Sequence, residues 1–321
     1  MSTGPLTTLS RRIRDRVGGQ VDDGHALEEL TVAPKSRLWE WLGVAAIVIG
    51  ALLMIRSFIE NQRFGWDVVG EYIFNAGILA GLRTTLLLTV AAMVLALAVG
   101  LLLAVMRLSS NIAMQTASSI YIWIFRGSPV LVQLLFWYNL AALYPTIKIG
   151  IPFGGPTFFE GSANSVMTPW VAALFGLGLN EAAYLAEIIR SGIISVEPGQ
   201  VEAARSLGMK RRLRFRRIVL PQALRVMIPP MTNETIGMLK YTAVVSVLAV
   251  PELLYSGQLI YARNYQTIPL LMVVSIWYIA TVTVLTLVQM MVERKLAAGW
   301  SANAAPRRGR WWWLGLNRRS A

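Results

Sequence analysis

The sequence predicts an all-α integral membrane protein with six transmembrane helices. Of its residues, 55% are hydrophobic and only 15% charged, whereas soluble domains carry about a quarter charged residues. Mean hydropathy is +0.54. Crossing hydrocarbon takes about 20 largely apolar residues, and the segments 38–58, 78–106, 119–143, 169–195, 222–250 and 268–292 meet that need. Lysine and arginine are segregated to alternate connections between them, as membrane topology requires.

The elements follow in order. Residues 1–37 are polar and of mixed charge, and the first apolar run starts only near Leu38. This reads as a disordered cytoplasmic tail followed by an uncleaved helix, not a secretory signal. The spans at 78–106 and 222–250 exceed the minimum, so tilt or extension beyond the bilayer is expected. The loop 144–168 contains Pro145, Pro152, Gly154, Gly155 and Pro156 and reads as irregular cover on the outer side. The segment 251–267 is amphipathic and aromatic, as an interfacial helix would be. The basic stretch 293–321 carries Trp311, Trp312 and Trp313. It reads either as a headgroup-layer anchor or as a disordered tail.

Orientation follows from the cations. One side holds Arg11, Arg12, Arg14, Arg16, Lys35, Arg37 and Arg107, then Arg205, Lys210, Arg211, Arg212, Arg214, Arg216, Arg217 and Arg225. The final stretch adds Arg294, Lys295, Arg307, Arg308, Arg310, Arg318 and Arg319. The opposite loops hold Arg56, Arg63, Lys148 and Arg263. The positive-inside rule puts both termini and the 196–221 loop in the cytoplasm of a multi-pass protein of the cell (inner or plasma) membrane. The formal charge of +13 is then a topology signal, and no nucleic-acid partner is expected.

Composition also bounds the chemistry. The chain has no cysteine and a single histidine, His25, in the polar N-terminal stretch. That excludes disulfides and thiol chemistry and argues against a metal or histidine-based catalytic centre. Ionisable groups inside a bilayer are costly and face a bundle interior or water. Glu181, Glu187, Arg190, Glu234 and Lys240 are such groups. Glu181 and Tyr184 share one helical face, where an acid could meet a substrate ammonium. Glu187 and Arg190 share the same spacing, which fits a structural ion pair as well as a pathway role. Asn233, Glu234 and Lys240 are read as lining a polar route. Arg126 either snorkels to lipid phosphate or packs within the bundle, and Gly127 and Pro129 break or kink its helix.

The most specific segment is Glu202–Pro221, EAARSLGMKRRLRFRRIVLP. Pro198-Gly199 ends a span, and a short helix can start from Gln200. Glu202 in its first turn complements the helix dipole. Ala203 and Ala204 favour helix and let another backbone approach, and Gly208 suits the left-handed residue that closes a helix. Cations around Leu213, Phe215 and Ile218 follow, as on an interfacial helix. Pro221 falls near the next span's start, where a missing N–H costs least.

This loop resembles the E-A-A-x3-G-x9-I-x-L-P signature of the permease subunits of ABC importers. Glu202, Ala203, Ala204, Gly208, Ile218, Leu220 and Pro221 fill its defined places. AAYLAEIIRSGIISVEPGQVEAARSLGM, LPQALRVMIPPMTN, FRGSPVLVQLLFWY and GLRTTLLLTV are similar to the polar amino acid group, which handles histidine, glutamate, glutamine, arginine or opines. Lys240-Tyr241-Thr242-Ala243 departs from that group's pattern. The resemblance covers about 78–292 and implies a five-helix type I permease core, to which the helix 38–58 is an addition.

The resemblance implies that Glu202, Ala203, Ala204, Arg205, Leu207, Gly208 and Met209 form a coupling helix docking on a separate cytoplasmic ATPase dimer. Arg126, Gly127, Pro129, Ile218, Leu220 and Pro221 would be structural. Further implied partners are an extracytoplasmic amino-acid-binding protein and a second permease copy or paralogue. The chain has no G-x-x-x-x-G-K-[ST] phosphate loop, so it is expected to bind no cofactor, with ATP and Mg held by the ATPase. The rival reading is an ion-gradient-driven secondary transporter or channel, which would need no such loop. An intramembrane enzyme would need a paired acid, base or nucleophile, and none is legible.

Overall fold

The computed structural model describes residues 38–151 and 155–297, so the readings of 1–37 and of the tryptophan-rich 298–321 stretch fall outside the described residues. The chain forms two compact units, 1–61 and 62–321. In the first, helix α1 (Leu38–Glu60) is apolar all round, and its described side chains are exposed within the unit, as suits a helix solvated by lipid.

The second unit is a helical bundle. It begins with α2 (Trp66–Tyr72), α3 (Ala76–Arg107), α4 (Ile112–Gly127), α5 (Val130–Tyr138) and α6 (Leu140–Leu143). A hairpin of β1 (Thr146–Gly150) and β2 (Thr157–Ser162) and the short α7 (Ala163–Val166) lead to α8 (Pro169–Ile194). Next come α9 (Pro198–Ser206), α10 (Arg211–Arg214), a π-helical turn (Phe215–Val219) and α11 (Leu220–Tyr241). A 3-10 turn (Thr242–Leu248), α12 (Leu253–Asn264) and α13 (Thr267–Ala297) complete it.

Helix α8 is the axis. It shares its largest interface with α3 and also packs on α4, α5 and α11. Its inward face is built from small residues, including Ala172, Ala173, Gly176, Gly178, Ala182 and Ala183, which let neighbouring backbones approach closely. A Cβ at Gly176 would lie 2.5 Å from Leu134 Cδ2 and 3.1 Å from its Cα, so α5 could not pack there against any larger residue. Leu88, Leu134, Leu177, Met238 and Val245 fill the core around this contact.

Among the described residues, α1, α3, α8 and α13 are each long and apolar enough to cross a membrane. Two bent pairs bring the total to six if each counts as one span. One pair replaces the single span expected over 119–143: α4 and α5 meet at 102°. Pro129 cannot donate the N–H that would continue the helix, and the residue before a proline is driven to extended backbone; Ser128 has φ −109 and ψ 142. The other pair, residues 211–248 and α12, bends by 45°.

Two further expectations are corrected. The 144–168 loop is not wholly irregular, since β1 pairs antiparallel with β2 from Thr146↔Ser162 and Lys148 bridges Glu160 at 2.6 Å. The 251–267 helix does not simply lie on an interface. Leu253, Ser256 and Gly257 of α12 are buried, and the helix packs on α3 and α13. Glu252, fully buried, caps α12 by accepting from the N–H groups of Leu254 (2.9 Å) and Tyr255 (2.6 Å). Tyr278 Oη donates to the same carboxylate at 2.9 Å, so α13 is tied to the cap.

Candidate functional site

Two places carry functional groups: the connection between α8 and α11, and a cavity inside the bundle. In the first, α9 begins at Pro198, slightly earlier than expected, because proline is preorganised for a first helical position. Val201 packs on the cluster of Ala104, Ile189, Val196, Ala223 and Met227, and Ala204 is buried. Gln222 Nε2 donates to Gln200 Oε1 at 2.6 Å, tying α9 to α11.

The end of α9 is closed by a Schellman motif. Gly208 N–H donates to Arg205 O at 3.0 Å and Met209 N–H to Ala204 O at 3.1 Å, with Gly208 at φ +72. A Cβ there would meet nothing within 4 Å, so the glycine answers a conformational need rather than a crowded one. Glu202, Ala203, Arg205, Leu207 and Gly208 face outward. Leu207 is 81% exposed, which makes it an apolar tip at the end of α9. Ile218 lies in the π turn, which runs without a break into α11, and Leu220 and Pro221 are the first two residues of that helix.

The cavity has a volume of about 520 Å³. The α4–α5 break supplies Arg126, Gly127, Ser128 and Pro129, α8 supplies Asn180, Glu181 and Tyr184, and α11 supplies Glu234, Met238 and Tyr241. The break itself is stabilised by side chains. Phe125 C=O lies four residues before Pro129 and has no backbone N–H to accept from there. Asn180 Nδ2 donates to it at 2.9 Å and Gln133 Nε2 at 3.0 Å, and Gln133 Nε2 also reaches Ser128 Oγ at 2.8 Å.

Glu181 is 4% exposed, and its Oε1 has no hydrogen-bond partner among the described residues. Buried polar atoms are nearly always paired, so an orphan on a cavity wall marks a place for a ligand donor. The Arg126 guanidinium sits 5.0 Å from the Tyr184 ring centroid, a cation–π contact that holds a positive charge at the cavity. Arg126 therefore lines the cavity, and Gly127 and Pro129 end the helices on either side of the break.

The structure thus brings Glu181, Tyr184, Glu234 and Arg126 together. It sets apart Glu187, whose carboxylate is 2.8 Å from Arg190 Nη2 and 3.9 Å from Arg107 Nε. Asn233 and Lys240 are exposed and do not line the cavity. Sequence reading missed Ser128, Gln133, Asn180 and Tyr241. For Gln133 a signal was present: an amide four residues after a proline that orphans a carbonyl.

The model for binding-protein-dependent transport system inner membrane components matches residues 96–298. The chain belongs to this family. It is 41% identical over 260 residues to the arginine transport system permease protein ArgU of Corynebacterium glutamicum, covering 80% of each chain. It is 36% identical over 230 residues to the probable amino-acid permease protein YxeN of Bacillus subtilis, covering 71% of this chain and 95% of that one. A crystal structure of an amino acid ABC transporter with histidines superposes with a TM-score of 0.59 at 33% identity, over 69% of this chain and 95% of that one. An inward-facing MetNI methionine ABC transporter shares the fold at 20% identity, with a TM-score of 0.50, over 70% and 97% of the two chains. The protein is a multi-pass ABC-importer permease for amino acids, and both the α9 connection and the cavity of this permease lie inside the family match, while α1 precedes it.

Proposed function

We propose that this permease is the membrane-spanning half of an ATP-driven importer of polar amino acids, and that it is worked from outside the membrane through α9. The observation that carries the reading is a short helix braced on α8 and α11 but bare on its outer side, with Leu207 at its tip. Such a helix moves as one body with the bundle. Glu202, Ala203, Ala204, Arg205, Leu207, Gly208 and Met209 form or hold the surface offered to a cytoplasmic ATPase dimer, which binds the ATP and Mg. The permease has no phosphate loop of its own and acts as a pair, with itself or a paralogue. An extracytoplasmic binding protein delivers the cargo. Both termini lie in the cytoplasm, and the two bent pairs each count as one span, with α1 added to a five-span core.

In this reading the cargo passes the Arg126–Glu181–Glu234 cavity. Two carboxylates and one guanidinium complement an amino acid with one carboxylate and two cationic groups. Arg126 takes the α-carboxylate, and Glu181 and Glu234 take the α-ammonium and a cationic side chain. Rocking of α8 and α11, driven through α9, opens the cavity to alternate sides.

The test is uptake of labelled arginine into vesicles holding the permease, its ATPase and its binding protein. Uptake should need ATP and all three components. Uptake driven by an ion gradient in vesicles without ATPase would overturn the reading in favour of a secondary transporter.

A further inference from the structure

A second cleft, of about 680 Å³, lies beside α9. Its walls are apolar: Ile193, Ile194 and Val196 from the end of α8, Val201 from α9, and Phe215 and Val219 from the π turn. Its remaining lining is Arg211, Arg212 and Arg214. No carboxylate lines it, and among the described residues these three arginines make no ion pair. Arg216 and Arg217 follow, both exposed.

We propose that this cleft binds an anionic phospholipid, with an acyl chain against the isoleucine, valine and phenylalanine walls and the phosphate on Arg211, Arg212 and Arg214. The two halves of the lining select the occupant jointly. A free phosphate would satisfy the guanidiniums and leave the apolar walls wet. A neutral lipid would cover the walls and leave three cations unmatched. An amphiphile with a negative head matches both, and basic pockets beside transmembrane helices on the cytoplasmic side are suited to such head groups. The cleft meets α8 at its inner end under the topology proposed above, on which this inference rests, so its mouth lies at headgroup level. Exposed Leu213 and Phe215 add apolar surface between the cations, as on helices that lie in the interface. The lipid would then lie against Val201 and buttress the coupling helix from the membrane side.

The experiment is native mass spectrometry of the purified full-length permease in detergent, with phosphatidylglycerol or phosphatidylcholine supplied at equal concentration. Each arginine near an anionic head is worth about fivefold in affinity. The combined variant R211Q/R212Q/R214Q should therefore lose phosphatidylglycerol retention by at least about tenfold. The variant R11Q/R12Q/R14Q removes the same charge from the polar N-terminal stretch and should retain lipid like the parent. Ile194→Trp, which narrows the cleft without altering charge, should also weaken retention. Equal retention of the two lipids, unchanged retention in R211Q/R212Q/R214Q, displacement by inorganic phosphate, or displacement by the added ATPase would each overturn the proposal. Retention needs neither ATP nor cargo, so a failure of the transport reading leaves a distinct result.

Discussion

Between Pro198 and Pro221 the functional residues come from one stretch of chain, whereas the cavity gathers Arg126, Glu181 and Glu234 from three separate helices. The α9 connection is a local device. Its shape follows from a proline start, small helix-forming residues and a glycine whose left-handed φ closes the last turn. The cavity is a tertiary device that exists only because α5 breaks away from α4 and exposes one face of α8. A local device should fail through single backbone positions, and a tertiary one through charge and packing distributed over several helices.

The largest expected effect falls on the local device. At Gly208 a β-branched residue must adopt φ near +72, which costs about 1–2 kcal/mol for a residue with a Cβ, or the helix end must change course. Gly208→Val should cut ATP-driven uptake at least tenfold while membrane insertion, followed by protease protection, stays intact. Gly208→Asn tolerates the left-handed region and should keep most of the uptake. Equal activity in both variants would mean that the Schellman closure does not govern coupling.

The cavity comes next. Glu181→Gln keeps the shape but exchanges the unpaired carboxyl for an amide, and a hydrogen bond to a charged group is worth about 1.5–3 kcal/mol. Arginine uptake should fall by about tenfold or more, with assembly unchanged by gel filtration. Glu234→Gln should act in the same direction but less, because Glu234 is only partly buried and water screens it. Lys240→Gln and Asn233→Ala, outside the cavity, should leave uptake within about twofold of the parent on the scale of ordinary surface substitutions. A large loss at Lys240 would move the route to another face of α11.

These contrasts also explain what could be read from the residues alone. The α9 loop was legible because its signals lie within a few residues of one another. Hydropathy gave the long helices, but not the fate of 119–143: the run stays apolar across Ser128-Pro129, and only the missing N–H at Pro129 marks the turn. Glu181, Glu187 and Arg190 interrupt the span at 169–195, and such groups face a bundle interior or water. That span is the most enclosed of the four unbroken candidate spans, with 61% of its apolar window buried. Its charges meet protein and cavity instead of lipid. The hairpin over 146–162 left no clear signal, since β1 is only five residues long and β2 shows no strict alternation of apolar and polar residues. Asn180 and Tyr241 join the cavity through tertiary packing, which no spacing encodes.

The smallest predicted effect sharpens the comparison within a single helix. Glu181 and Glu187 both lie on α8, and in sequence both read as pathway candidates. Glu187 is paired with Arg190 at 2.8 Å and lies 3.9 Å from Arg107, and these side chains retain 23–37% of their exposure. Pairs open to solvent to that degree contribute about 0–1 kcal/mol. Glu187→Gln should therefore lower the thermal midpoint of the purified permease by only a few degrees and leave arginine uptake nearly unchanged. A combined E187Q/R190Q variant should be no worse than E187Q, because the second change removes the cation that the first leaves unmatched. The reverse pattern, with Glu187→Gln abolishing uptake and Glu181→Gln sparing it, would place the route along the Arg107 face of α8 and leave the Arg126 cavity a structural void.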